Sequence, residues 1–347
     1  MKIVYIGDYQ GRSDEGMRHL SRTIAGRMGE RHTVMMLHTR QALLPGALAA
    51  VRRFAPQVVH YIPGPTLRSL FLLRLYRLFF PACRTLVSAT RPFFAPRQYA
   101  WLPYFRPDCV LTQDERWARL FRSAGIATAA LPNGVDLQRF APATERPALR
   151  ARYGWGLHER VILHVGHLRA NRNLEVLAEL GRVPGLRVWV VASTAMATDA
   201  ALAQELRTCG CRVDIGYMAD IQEVYACADV YVFPTRPAAG DALPQRYAEV
   251  GAIDMPLSVL EALASGLPVV STRFPALEQM LHPDGAGIYW FDGSAADAQR
   301  GVAALAGCPA EDARRRVVHL DWPLVLDRLD EIYSQLLNGG VLQGAQG

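Results

Sequence analysis

The sequence predicts an α/β protein of two Rossmann-like halves. Three observations predict it. Short β-branched runs alternate with helical runs along most of the chain, the pattern of parallel βαβ units with right-handed crossovers. A cluster of turn-forming residues at 131–142 divides that alternation in two. The composition is that of an ordinary folded chain, with 347 residues, 50% apolar and 20% charged, which excludes a disordered or collagen-like polymer. At roughly 100–200 residues per domain the length holds about two domains.

The elements follow in order. Lys-Ile-Val-Tyr-Ile at 2–6 reads as a strand, and residues 18–28 as a helix opening after a Gly-rich loop. Residues 32–37, 58–61, 85–88 and 109–112 read as strands, with helices at 46–54, 67–80 and 115–124. The break carries Leu131-Pro132-Asn133-Gly134-Val135-Asp136, residues that favour turns over a continued helix or central strand. The alternation then resumes. Strands are predicted at 161–165, 187–192, 213–215, 230–233 and 269–272, and helices at 174–180, 200–209, 221–226 and 258–264. Domains are expected at 1–145 and 146–320, with a last segment at 321–347. Two such halves would face each other across a cleft, with ligands at the carboxyl ends of the strands.

Several chemistries are excluded. The net charge of +6 rests almost wholly on arginine, since Lys2 is the one lysine. Compositional bias explains that, as does a supply of rigid donor forks suited to phosphate. No RNP, zinc-finger or basic-helix pattern accompanies the charge, so nucleic acid is not an expected partner. The loop from Gly7 through Gly11 to Gly16 is not a G-x-G-x-x-G fingerprint, and neither a Walker Gly-Lys-Ser/Thr nor a G-x-S-x-G elbow is present. Six cysteines are too dilute for a disulfide scaffold, and the Cys209-x-Cys211 pair has no second pair to complete a zinc site. No Asp-x-Asp stands at a strand end to hold a divalent ion between phosphates, so no metal and no cofactor are expected. The opening residues read as a strand and not as a signal peptide, and no stretch approaches the roughly 20 apolar residues of a membrane span. A cytoplasmic location is the expectation.

Three segments of the second half carry the functional signal. Val165-Gly166-His167-Leu168-Arg169-Ala170-Asn171-Arg172-Asn173 lies between a strand and a helix. Its glycine permits close backbone approach, and its arginines can pair with phosphate oxygens at a helix N-terminus. Val230-Tyr231-Val232-Phe233-Pro234 reads as a buried strand. In Asp254-Met255-Pro256-Leu257-Ser258-Val259-Leu260-Glu261, a Pro-Leu-Ser turn starts a helix, with Ser258 expected as its cap and open N–H groups beside it. Glu261 falls in the first turn on a mostly apolar face. A charge there needs a hydrogen-bonding partner, such as a pair of ligand hydroxyls. Stabilisation of the positive helix end is the other reading.

Taken in order, these motifs resemble those of retaining GT-B glycosyltransferases, most nearly glycosyltransferase family four, the group one glycosyl transferases. The resemblance covers nearly the whole length. It extends to Pro132-Asn133-Gly134-Val135-Asp136 with Phe140, to Gly266-Leu267-Pro268-Val269-Val270, and to Asp321-Trp322 with Tyr333 in a last helix that crosses back to the first lobe. It implies transfer of a sugar from a nucleoside-diphosphate sugar, with retention and without metal, to a glycan, lipid-linked or small-molecule acceptor. It also implies that Glu261 holds the ribose hydroxyls, that backbone amides of 254–257 face sugar and phosphate, and that a basic pair in the 166–173 loop meets the departing diphosphate. Arg172, His167 and Asp254 are therefore the candidate catalytic residues. Gly166, Arg169, Asn173, Pro256, Leu257, Ser258, Glu261, Gly11, Gly16, Tyr217 and Asn133 are the candidate binding residues.

The chain departs from the family pattern at several points. His167 stands where the family usually has Arg, and Arg172 where it usually has Lys. The position of the family's first Glu falls on Ile253, with Asp254 beside it and an inserted-looking stretch at 238–251 before it. A shifted Asp254 contacting sugar hydroxyls fits this pattern, and so does a remodelled loop. Ser88-Ala89-Thr90-Arg91 occupies the place of a frequent first-lobe His. A rival reading makes the chain a non-catalytic subunit that binds nucleotide or glycan. Residues 67–80, with Arg68, Arg74 and Arg77, read either as a core helix with snorkelling arginines or as a basic interfacial helix giving peripheral contact with the inner membrane face. The aromatic run at 93–105 suits an acceptor platform and a buried loop equally.

Overall fold

The computed structural model describes residues 1–9, 16–90, 92–194, 198–236, 254–284 and 286–339. They fall into two units. The first comprises 1–133, 254–255 and 323–339, and the second 134–236 and 256–322.

The first unit runs β1 (Lys2–Gly7), α1 (Gly16–Gly29), β2 (Thr33–His38), α2 (Pro45–Phe54), β3 (Val58–Tyr61), α3 (Leu67–Phe79), β4 (Arg84–Ala89), a 3-10 segment (Pro96–Tyr104), β5 (Cys109–Thr112), α4 (Glu115–Ser123) and β6 (Thr128–Ala130). Its six strands are parallel, in the order β2-β1-β3-β4-β5-β6. The helix α3 starts in a capping box. The Thr66 hydroxyl accepts from the Ser69 amide, and the Ser69 hydroxyl from the Thr66 amide. One side of α3 is buried through Leu70, Leu72, Leu73 and Tyr76, as a core-packed helix requires.

The second unit continues with α5 (Arg146–Arg152), β7 (Arg160–Gly166), α6 (Glu175–Gly181), β8 (Leu186–Ala192), α7 (Ala200–Thr208), β9 (Arg212–Ile215), α8 (Ile221–Cys227) and β10 (Val230–Phe233). After 254 come α9 (Leu257–Ala264), β11 (Val269–Ser271), α10 (Pro275–Met280), β12 (Ile288–Trp290), α11 (Ala295–Ala304) and α12 (Ala310–Arg315), and the last helix is α13 (Trp322–Leu337). The second sheet is also parallel and six-stranded, ordered β12-β11-β10-β7-β8-β9. Two parallel sheets wound with helices are the predicted α/β architecture. From Pro323 onward α13 returns to the first unit. There the Tyr333 hydroxyl lies 2.9 Å from that of Tyr5 and 2.6 Å from Nδ1 of His60, all three side chains being buried.

Several elements were not predicted. β6 and β12 are three residues each, too short to show a period, and α5, α10 and α12 have six or seven residues.

Candidate functional site

The carboxyl edge of the second sheet is where its loops can hold a ligand. Strands β7 and β10 are neighbours there. β7 ends at Gly166, where a Cβ would stand 2.8 Å from Nε2 of His164. That ring is buried, its Nδ1–H donates to the Val232 carbonyl at 2.9 Å, and burial pushes its pKa down to about 4. The ring is therefore neutral and fixed, and only glycine fits above it without displacement.

The loop after Gly166 presents His167 and Arg172 half-buried and Arg169 exposed. A 3-10 turn at Ala170–Arg172 leads into Asn173, which takes a left-handed conformation with φ 57, one that asparagine tolerates better than most residues. The Asn173 amide nitrogen donates to the carbonyls of Pro234 at 3.1 Å and Gly293 at 3.0 Å. One buried side chain thus fastens the loops after β7, β10 and β12 to each other.

Tyr231 of β10 is the centre of the arrangement. Its hydroxyl donates to the Val165 carbonyl at 3.1 Å and shares a hydrogen bond with Ser258. Burial raises its pKa. The charge of Glu261 adds to that rise, and the charge of Arg172 opposes it. Ser258 thus bonds to this buried phenol, and the charges of Glu261 and Arg172, from two separate segments, both act on it.

The start of α9 differs from the sequence reading in two ways. Pro256, not Ser258, is the N-cap, and no side chain caps the helix. Proline already supplies the fixed φ that begins the turn, so Ser258 is the second helical residue and its hydroxyl turns to Tyr231. Glu261, the fifth residue, lies in the second turn and not the first. The amides of Leu257 and Ser258 donate to no acceptor among the described residues, as expected for the first N–H groups of a helix. Glu261 accepts from the Tyr225 hydroxyl through Oε2 at 2.9 Å. Burial pushes its pKa up, while the Tyr225 bond and the nearby Arg139 charge pull it down. Among the described residues Oε1 accepts no hydrogen bond.

The remaining predicted residues are placed elsewhere. Tyr217 follows β9, two strands from β7, and is half exposed. In the first unit Gly16 opens α1, while Gly11 lies outside the described residues, as do Ile253 and 238–251. Asn133 is buried. Its oxygen accepts from Gln113 at 2.6 Å and its nitrogen donates to the Met255 carbonyl at 2.9 Å. Asp254 also belongs to the first unit. Its Oδ2 is buried without a hydrogen-bond partner among the described residues, and burial, then the charge of Asp114, push its pKa up to about 7 against the pull of Arg116. A cavity of about 490 Å³ opens at the opposite, N-terminal edge of the second sheet, lined by Arg146, Arg150, Asp229 and Cys308 among others. It contains none of the predicted residues.

Residues 159–306, which include the 166–173 loop, Tyr231 and α9, match the family model described as Glycosyl transferases group 1. The fold aligns with sucrose-phosphate synthase from Thermosynechococcus elongatus at a TM-score of 0.76 and 18% identity, over 98% of this chain and 100% of that one. The two-unit α/β fold is thus the GT-B fold, and its 159–306 segment is similar to the group 1 glycosyl transferases. A second solved structure, HepE of Anabaena in complex with UDP, aligns at a TM-score of 0.71 and 16% identity over 96% and 100% of the two chains. Among curated proteins, the chain is 28% identical over 217 residues to a GDP-mannose-dependent alpha-mannosyltransferase of Mycobacterium tuberculosis, covering 61% of this chain and 52% of the relative. It is 24% identical over 266 residues to a sulfoquinovosyl transferase of Arabidopsis thaliana, covering 71% and 48%. The chain thus spans about half the length of these relatives.

Sequence reasoning missed Tyr231 and Tyr225 in this group 1 segment. The available signal was a tyrosine where phenylalanine would fill a core equally well, since a buried hydroxyl needs a partner.

Proposed function

We propose that the protein transfers a sugar from a nucleoside-diphosphate sugar to a hydroxyl acceptor, with retention at the anomeric carbon and with no step assigned to a metal ion. The product would be a polysaccharide, glycolipid or glycosylated metabolite. The observation that carries this reading is that Ser258 bonds to Tyr231 while the charges of Arg172 and Glu261 both act on it, inside the segment that matches the group 1 family.

In this reading Arg172, flanked by His167 and Arg169, faces the diphosphate. The bond from the anomeric carbon to the diphosphate oxygen breaks, and its electron pair leaves on the diphosphate. The acceptor oxygen bonds to the same face of that carbon, and its proton passes to a departing phosphate oxygen. Negative charge grows on the leaving group as the bond opens, and a guanidinium held in place beforehand stabilises that charge without reorganising. The open amides of Leu257 and Ser258 supply further donors to phosphate. Glu261, with Oε2 held by Tyr225, turns Oε1 to the ribose hydroxyls. No side-chain nucleophile takes part.

A thermal-shift panel of UDP, GDP, ADP and dTDP tests the donor site. A ligand at a hundredfold excess over its Kd stabilises by about 2.7 kcal/mol. Arg172→Ala and Glu261→Ala are each expected to weaken nucleotide-diphosphate binding by about tenfold or more, about 1.4 kcal/mol, with Arg172→Ala also slowing transfer. Unchanged affinity and rate in both variants would overturn the assignment. Nucleotide binding with neither transfer nor hydrolysis of any donor would favour the non-catalytic subunit.

A further inference from the structure

The first unit carries a surface that the donor chemistry does not use. Residues 31–107 contain 11 arginines and neither Asp nor Glu, while over the rest of the chain 27 basic residues stand against 32 acidic ones. The positive excess of the whole protein is therefore concentrated in this one stretch.

The fold sets most of that stretch in one layer. Right-handed crossovers from β2 through β6 place α2, α3, the 3-10 segment and α4 on the same face of the first sheet. Their inner sides close a single apolar cluster that includes Val51, Leu70, Leu73, Phe94, Leu102 and Trp117. Their outer sides consequently form one surface. On it Phe71 is 45% exposed, Leu78 59%, Phe79 56%, Trp101 54% and Tyr104 69%. Three of these rings, Phe71, Trp101 and Tyr104, are joined through Phe105. The Phe71 ring meets Phe105 edge-on at 5.5 Å, Phe105 stacks on Trp101 at 6.5 Å, and Trp101 meets Tyr104 at 6.1 Å. Arg52, Arg53, Arg68, Arg74, Arg97 and Arg106 are exposed and form no ion pair among the described residues. Arg77 and Arg84 turn instead to Asp108, whose carboxylate they cover.

We propose that this face docks on a bilayer surface bearing anionic headgroups. An exposed aromatic patch is stabilised by leaving water, and unpaired guanidiniums are stabilised by anions. A polyanion such as a nucleic-acid duplex, whose bases are already stacked inside, meets the second demand and leaves the rings in water. An apolar groove on a protein meets the first and strands the arginines. A bilayer interface meets both at one depth. Rings lodge at the acyl boundary, arginine stems lie along it, and guanidiniums reach the phosphates. The stretch holds no acidic residue, Asp108 just beyond it is covered, and Glu115 of α4 is paired with Arg122, so little opposes the approach. The attachment is peripheral, since no helix among the described residues is long and apolar enough to cross a membrane.

Flotation of the full chain with vesicles tests the proposal, using phosphatidylcholine alone and phosphatidylcholine mixed with phosphatidylglycerol. The protein is expected to float with the mixed vesicles, to remain behind with the neutral ones, and to be released as salt rises. The pairs Trp101→Ser with Tyr104→Ser, and Arg68→Gln with Arg74→Gln, are each expected to lower vesicle affinity by about tenfold or more. All four positions are exposed, so thermal unfolding should be unchanged. Tryptophan emission should shift to the blue on mixed vesicles, and Trp101→Phe should remove most of that shift. Failure to float at low salt overturns the proposal. So does vesicle binding that is indifferent to the Trp101–Tyr104 pair, which would mark mere charge attraction. Self-association lost in Trp101→Ser without vesicle binding would assign the face to a second copy of the chain and also overturn it. The assay reads binding and not sugar transfer, so the two readings fail separately.

Discussion

A methyl group at Gly166 would press on Nε2 of a histidine already fixed by its bond to the Val232 carbonyl. Gly166→Ala must therefore displace either the His164 ring or the loop that carries Arg172. Stability is expected to fall by about 1–3 kcal/mol, the usual cost of overpacking, and nucleotide affinity to fall with it. Urea unfolding and calorimetric titration check both, and no change in either would mean that the loop yields freely. At this scale the basic loop was legible because strand, glycine and arginines follow one another in the chain. Ser258 was misread because Pro-Leu-Ser resembles a serine-capped start, whereas Pro256 already holds the cap position. Tyr231 was hidden for a different reason. In Val-Tyr-Val-Phe the ring alone justifies the residue, and its partners, Val165 and Ser258, come from other elements.

Helix α9, which bears Glu261, ends as sharply as it begins. The Leu267 amide donates to the Ala262 carbonyl and the Gly266 amide to that of Leu263, the two bonds of a Schellman motif. Gly266 takes φ +74, and a Cβ there would come 2.6 Å from that of Ala310. Gly266→Ala is expected to cost at least about 1–2 kcal/mol from the left-handed backbone, plus the clash. Gly154→Ala, with φ +78 and open space around it, should cost only the backbone part. Chemical denaturation of the two variants separates the terms, and equal losses would remove the packing contribution. Among the elements, those legible in sequence were the ones whose own pattern suffices, such as 58–61, 109–112 and 230–233, whose bounds the structure reproduces. The strands at Thr128–Ala130 and Ile288–Trp290 exist because β5 and β11 offer them a register. Nothing in three residues announces that.

Over the whole molecule, each unit buries one neutral histidine that answers to pH. Burial pushes the pKa of His60 down to about 3 and that of His164 to about 4. In the unfolded chain both stand near 6.5. Below that value the unfolded chain binds protons that the native rings refuse, so stability is lost as pH falls from 6.5 toward the folded values and is fully present above it. The slope is about 1.4 kcal/mol per pH unit for each ring. Asp254 acts in the opposite sense, since its carboxyl, raised to about 7, keeps a proton that the unfolded chain releases. His164→Gln is expected to flatten the fall in urea midpoint between pH 7 and pH 5, and a slope equal to that of the unmodified protein would refute this. A separate consequence follows from α13. Tyr5 and His60 leave the ribosome early, yet their partner Tyr333 is made only after the whole of 134–322. During synthesis the later unit is thus the earlier to mature, and the first sheet waits with an unfinished polar centre. Nascent chains that have emerged only as far as Trp322 should resist protease over 134–236 and 256–322 while remaining cleavable over 1–133.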